Sequence, residues 1–345
     1  MRVLSVVGGR PNLLQLAPVA RALRATPDIE HLIVHAGRHD APDLAAAIDE
    51  LELPPVQFHL EVGAGSDGVR TGLMLQRLEP ALAHLRPDVV LAYGDDAAAA
   101  AAALAAATLR LRLGHVEAGL RCGDGAGGET MPRLVADALA DLLFVPSRDA
   151  ISALKAEGVA DERIQFVGSL RIDALCWALA RAPAVDSGAY AVANLHEPAA
   201  EVVQALAELD RRLPVVAAPA GYRERIALVA GAALVVTDSD DLQEETSYLG
   251  VACITLRSST DHPATCQHGT NRLVAAGRAT LLAAANRALA RRAPARPVLE
   301  RWDGRAAERI ARVLCDSADF SAERDPQLAV GAPRGRRAAA LSQMA

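Results

Sequence analysis

The chain has 345 residues, 51% of them hydrophobic and 23% charged, enough for two ordinary domains with cores to bury. A net charge of −6 and a pI near 5.9 argue against a general nucleic-acid or membrane-surface binder, while leaving room for local basic sites that hold a phosphorylated small molecule. Cys122, Cys176, Cys253, Cys266 and Cys315 are scattered with no CxxC pair. Free thiols in a reducing cytoplasm are therefore expected, not a disulfide framework or a zinc site.

The first segment, MRVLSVVGGRPN, carries too short an apolar run for a signal peptide. A β-branched strand, RVLSVV (2–7), ends at Gly8-Gly9 and is followed by a helical pattern from Leu13 to Leu23. Strand–helix units then recur: HLIVHAG with APDLAAAIDEL, DVVLAYGDD with AAAAAAALAAATLR, and LRLGHVEAG with PRLVADALADL. LLFVPS with RDAISALKAEG and IQFVGS with RIDALCWALA complete the series. The run Ala97–Ala107 has polar flanks and falls far below the ~20 residues of a membrane span, so a soluble cytoplasmic protein is expected. Short unbroken apolar strands between helices predict a parallel sheet covered on both faces, a doubly wound domain over about 1–170.

The alternation restarts at AYAVANLH (189–196) with the helix AAEVVQALAELDRRL, and PVVAAP, AALVVTDS and VACITL supply further strands. A second Rossmann-like domain is thus expected over 171–315, closed by the helix GRAAERIARVL (304–314). Residues 316–345 lose periodicity and read as a loosely held tail. In open α/β sheets ligands bind beyond the carboxyl ends of the strands. The polar residues there are Gly8-Gly9-Arg10, Gly94-Asp95-Asp96, His115 to Arg121, Asn194 to Glu197, and Asp238 to Asp241. Two domains facing a central cleft would bring these clusters together. A nicotinamide site is disfavoured, because VVGGRPN lacks the third glycine of the dinucleotide fingerprint.

The stretches GGRPNLLQLAPVARAL, GDD, GHVEAGLRCGD, GETMPRLVADALADLLFVPS and VTDSDDLQEETSYLG resemble, in order, those of the non-hydrolysing UDP-N-acetylglucosamine 2-epimerases. That resemblance implies a glycosyltransferase-B-like fold of two Rossmann-like domains, no metal or nicotinamide cofactor, and a homodimer. It further implies elimination of UDP across C1–C2 of the sugar to a glycal, then re-addition after C2 is reprotonated on the other face. Such chemistry needs a base, an acid and cations on the leaving diphosphate. At the matching positions the implied catalytic residues are Asp95, Glu117, Glu129 and His196. Arg10 and Arg133 match diphosphate contacts, Ser239 a phosphate-binding serine, and Glu245 a ribose-binding glutamate.

The diphosphate apparatus departs from the family pattern. Gln15 stands for a lysine, Glu197 for an arginine, Thr130 and Pro132 for a glutamate and an asparagine, and Asp240 and Asp241 for two glycines. At ~4 Å and an effective dielectric of ~20, each carboxylate would oppose a phosphate charge by about 4 kcal/mol. A strand–helix unit between PVVAAP and GYRERIALV, which in the family carries an allosteric-site histidine, is missing. Regulation by UDP-N-acetylglucosamine is therefore not expected. Alternative activities are hydrolysis of the intermediate to free sugar, or binding of another ligand or partner without catalysis. Structural roles compete at single residues. Glu117 could pair with Arg121, Asp95 could cap the alanine helix, and Glu129, Asp240 and Asp241 could favour helix starts.

Overall fold

The computed structural model describes residues 1–40, 44–122, 130–183, 189–290 and 299–316. Glu129 and the tail beyond residue 316 lie outside the described residues. The first layer comprises β1 (Arg2–Val7), α1 (Arg10–Arg24), β2 (Glu30–His35), α2 (Leu44–Leu51), β3 (Phe58–His59), α3 (Asp67–Leu85), β4 (Val89–Tyr93) and α4 (Ala97–Thr108). It continues through β5 (Arg112–Val116), α5 (Thr130–Leu139), β6 (Leu142–Val145), α6 (Arg148–Ala156), β7 (Ile164–Phe166) and α7 (Leu170–Leu179). The second layer holds β8 (Ala191–Asn194), α8 (Ala200–Asp210), β9 (Val215–Ala217), α9 (Tyr222–Gly231), β10 (Leu234–Thr237) and α10 (Asp241–Leu249). β11 (Ala252–Thr255), α11 (Pro263–Gln267), β12 (Asn271–Leu273), α12 (Arg278–Leu289) and α13 (Ala306–Asp316) complete the order.

Two parallel sheets result, β3-β2-β1-β4-β5-β6-β7 and β12-β11-β10-β8-β9. In each, the chain leaves its first strand toward one edge and later returns to the other side. The reversal points, between β1 and β4 and between β8 and β10, open crevices at the strands' carboxyl ends. The two-domain α/β fold read from the alternation is the one found. β4, β5 and β6 are buried almost throughout, as strands covered on both faces must be, so they appear as unbroken apolar runs.

Helix α4 explains its own composition. Ala97 to Ala103, Ala105 and Ala106 are all buried, packed with Val6, Val90, Leu82 and Ala136 in one core. A helix enclosed on most of its surface, with Leu104 exposed, shows no amphipathic stripe, and alanine's single methyl lets neighbouring elements close upon it. No helix among the described residues is long and apolar enough to cross a membrane.

The closing helix α13 returns to the first layer. Ala306, Ala307, Ile310, Ala311 and Leu314 share a core with Leu13, Leu16, Leu170, Ile172 and Leu175, from α1 and α7. The Asp173 carboxylate accepts the Ala306 and Ala307 N–H groups at 3.0 and 2.7 Å, capping α13 from a residue 133 positions earlier. Burial pushes the Asp173 carboxyl up to about 6, opposed by those two N–H groups.

Candidate active site

The first crevice is built by close approach. At Gly8 an added Cβ would lie 1.9 Å from Asp96 Oδ2, so only glycine lets β1 end against the start of α4. Asp96 caps α4, its Oδ1 accepting from Ala98 and Ala99 N–H at 2.9 and 3.1 Å. The cap expected of Asp95 is thus supplied by its neighbour. Asp95 instead accepts from Arg133 Nη2 at 2.8 Å, while Arg133 Nη1 reaches Asp261 Oδ2 at 2.9 Å. Arg133 therefore ties the first layer to the β11–α11 connection. Burial opposes the Arg133 charge, but Asp95 and Asp261 more than offset it and raise its pKa.

The HVEAGLR stretch divides its residues between scaffold and cleft. His115 is wholly buried, its Nδ1 2.6 Å from Asp137 Oδ1 and its Nε2 2.8 Å from the Gly94 carbonyl. Asp137 Oδ2 also accepts from the Gly119 N–H at 3.1 Å and pairs with Arg121 Nη1 at 2.7 Å. Burial would raise the Asp137 carboxyl, yet the bonds from His115 and Arg121 hold it below the usual carboxylate range. Arg121 also forks onto Glu157, so its partners are Asp137 and Glu157, not Glu117.

Glu117 stands apart from that network. Its backbone is left-handed, with φ 61°, a conformation that costs a non-glycine residue roughly 1–2 kcal/mol and that clusters at functional positions. Two residues on, Gly119 (φ 79°) could not carry a side chain, since a Cβ would meet the Ala150 carbonyl oxygen at 2.7 Å. The turn aims a buried carboxylate into the cleft. Glu117 Oε2 accepts from Gln15 Nε2 at 2.5 Å, and Oε1 has no hydrogen-bond partner among the described residues. Burial pushes the Glu117 carboxyl up to about 7, against the pull of Arg171 and with the help of Glu244.

The second layer supplies the facing wall. Ser239 lies between β10 and α10, its N–H donating to Thr237 Oγ1 at 3.0 Å. Glu245 is fully buried. Its Oε1 accepts from the Tyr222 hydroxyl at 3.0 Å and its Oε2 has no partner among the described residues. Burial raises its carboxyl to about 7, against Arg225 and Arg171. Asp240 and Asp241 are each matched by an arginine: Arg257 contacts Asp240 and Arg171 Nη2 lies 2.8 Å from Asp241 Oδ1. Asp240 makes no side-chain capping bond to α10, whereas Asp241 does stand in its first turn, where an acid is favoured.

Two predicted residues sit at the margin. Arg10 donates from Nη2 to the Ala220 carbonyl at 2.6 Å and pairs with Glu50 at 3.6 Å, spanning the two layers beside the reversal point. The His196 side chain is exposed; its backbone N–H donates to Asp238 Oδ2 at 2.7 Å. Among the described residues it makes no ion pair or hydrogen bond with the cleft carboxylates.

Sequence reasoning overlooked Arg171, Glu244, Asp137 and Asp261, and also His262, whose Nδ1 lies 3.8 Å from Glu244 Oε1. Arg171 offered a signal, a charged residue opening a helix that is apolar apart from it and Asp173. The buried side-chain atoms without partners concentrate here: Gln15 Oε1, Glu117 Oε1, Arg133 Nε, Arg171 Nε and Nη1, Glu244 Oε2 and Glu245 Oε2. Buried polar groups are normally paired, so this wall is built for a polar ligand.

Comparison with known proteins agrees with this fold. The family model described as UDP-N-acetylglucosamine 2-epimerase matches residues 21–213 and 189–315. A UDP-N-acetylglucosamine 2-epimerase homolog from Methanococcus maripaludis is 32% identical over 82% of this chain and 91% of its own. UDP-2,3-diacetamido-2,3-dideoxy-D-glucuronate 2-epimerase from Pseudomonas aeruginosa is 30% identical, over 84% and 92%. The crystal structure of the Methanocaldococcus jannaschii UDP-GlcNAc 2-epimerase, in complex with UDP-GlcNAc and UDP, superposes with a TM-score of 0.81 at 29% identity, covering 92% of this chain and 100% of that one. With most of its length matched by the family model and relatives of at least 30% identity covering more than four fifths of it, the chain belongs to the UDP-N-acetylglucosamine 2-epimerase family.

Proposed function

We propose that the chain inverts C2 of a UDP-linked 2-acetamido sugar, UDP-N-acetylglucosamine first among them, without hydrolysis. One acid of the cleft takes the C2 proton while the C1–oxygen bond to UDP breaks, leaving a 1,2-unsaturated sugar. A second acid returns a proton to the opposite face of C2 as a UDP oxygen re-forms the bond at C1. Atoms and charge balance without an external redox partner.

Glu117 carries this reading. It is a strained, buried carboxylate with a spare oxygen and a carboxyl near 7, matched to proton transfer near neutral pH. Asp95 serves as the second proton-transfer group, oriented by Arg133. Glu129 and His196 complete the proposed set on resemblance alone. Arg133 and Arg10 are assigned to the diphosphate, Ser239 to a phosphate oxygen and Glu245 Oε2 to a ribose hydroxyl, a pairing that its unpartnered state supports. A cytoplasmic homodimer belongs to the same proposal, and sedimentation tests the dimer.

The decisive experiment incubates the protein with UDP-N-acetylglucosamine in deuterium oxide and follows C2 by proton NMR and the phosphates by phosphorus NMR. Label at C2 with the diphosphate ester retained is the expected result. Free UDP accumulating with free sugar would replace epimerisation by hydrolysis. Neither change would leave the protein a binder without turnover.

A further inference from the structure

Arg171 has too few partners for its position. It lies at the start of α7, 4% exposed, and a guanidinium carries five N–H donors in a fixed fork. Among the described residues only Asp241 lies at hydrogen-bonding distance, 2.8 Å from Nη2. Glu244 Oε2 is 3.6 Å from Nε, beyond a hydrogen bond, and Nε and Nη1 are left without partners. Such a group is expensive to bury unless something completes its bonding.

Its surroundings indicate what does. Asp241 opens α10, a nine-residue helix whose start has no side-chain cap, so the positive end of the helix dipole and its first N–H groups face the same space. Within electrostatic reach stand Glu117, the acid with the strongest influence on Arg171 after Asp241, and then Glu244 and Glu245. Arg171 is thus held at a helix N-terminus through Asp241 and interacts with the carboxylate assigned to proton transfer. Arginine's planar fork suits a phosphate or carboxylate better than any neutral group.

We propose that Arg171 is a substrate-binding residue, its unpartnered N–H groups taking an oxyanion of the nucleotide sugar while Asp241 holds the guanidinium in place. The oxyanion is either the diphosphate or a carboxylate carried by the sugar, as in a glucuronate. This rests on the nucleotide-sugar reading above. It also gives Asp241 a purpose: the acid fixes the cation's orientation.

Calorimetric titration of UDP, UDP-N-acetylglucosamine and its C6 uronate into wild type, D241N, R171K and R171Q/D241N tests the assignment, with a thermal melt of each. The double variant removes both charges together, so no lone buried charge is left to unfold it. It should bind about 10- to 100-fold more weakly, the worth of a charged hydrogen bond. R171K, which keeps charge but loses the fork, should fall between, and D241N should bind at least as tightly as wild type. Weakening already seen with UDP assigns the diphosphate, and weakening confined to the uronate assigns the sugar carboxylate. A folded double variant that binds all three ligands like wild type overturns the proposal and makes the pair a tie between α7 and α10. Wild type that binds none of them sinks the nucleotide-sugar reading as well.

Discussion

His115 and Glu117 lie two residues apart at the end of one strand, yet they occupy opposite kinds of environment. Behind β5, Asp137 joins His115, Gly119 and Arg121 with every contact between 2.6 and 3.1 Å. In front of it, Glu117 sits in a left-handed turn with one oxygen unpartnered, beside an arginine that is itself short of partners. The first region is satisfied and rigid; the second keeps bonding capacity in reserve. A fully paired polar network fixes a backbone, whereas reactivity needs groups whose partners arrive with the substrate. The strain at Glu117 persists because the Asp137 network over-determines the loop that carries it.

Removing the reserve should produce the largest effect. Glu117→Gln keeps the shape but cannot exchange a proton, so C2 deuterium exchange should fall about 10²–10⁴-fold with the melting temperature nearly unchanged. Exchange at the wild-type rate would remove Glu117 from the chemistry and collapse the contrast.

The reverse loss is expected of Asp137→Ala. It leaves Arg121 and His115 without their buried carboxylate, a change that costs about 3–5 kcal/mol in folding stability, read as a lower denaturation midpoint. Unaltered stability would show that the rear network is dispensable.

The pH dependence sharpens the comparison. Burial raises Glu117 and Glu245 to about 7, so in the folded state both hold protons that an unfolded chain releases near 4.5. Their contribution to stability is full below about 4.5 and is lost as pH rises through about 7. Asp137, held below its ordinary value, contributes the opposite way, its stabilisation being lost only in acid. Glu245→Gln should therefore flatten the decline in stability between pH 5 and 8, and an unchanged slope would place the titration elsewhere.

Asp96→Ala gives the smallest effect. Losing the α4 cap should cost about 1 kcal/mol, measured by denaturant unfolding. C2 exchange should stay within a few-fold of wild type, since Asp95 keeps its partner Arg133. A collapse of exchange would mean that the two neighbouring acids share one role.

Much of the architecture was legible because its causes are local. A strand buried on both faces must be an unbroken apolar run, and a helix must follow it to cover the sheet. The elements, the two sheets and the strand ends that line the cleft therefore follow from order and composition alone. The family resemblance was legible for the same reason, since its motifs are contiguous segments at those ends. Which acid does what was not legible. Asp95 and Asp96 are equally good caps by type, and only the approach of Gly8 and Arg133 separates them. Asp240 and Asp241 look like bare repulsion until Arg257 and Arg171 are seen against them. The docking of α13 on α1, and the Asp173 carboxylate that caps it, join residues more than a hundred positions apart. Periodicity reports how one element meets its own core. It carries no record of which distant charge will complete a pair, because that is set by sheet order and by the way two layers close on each other.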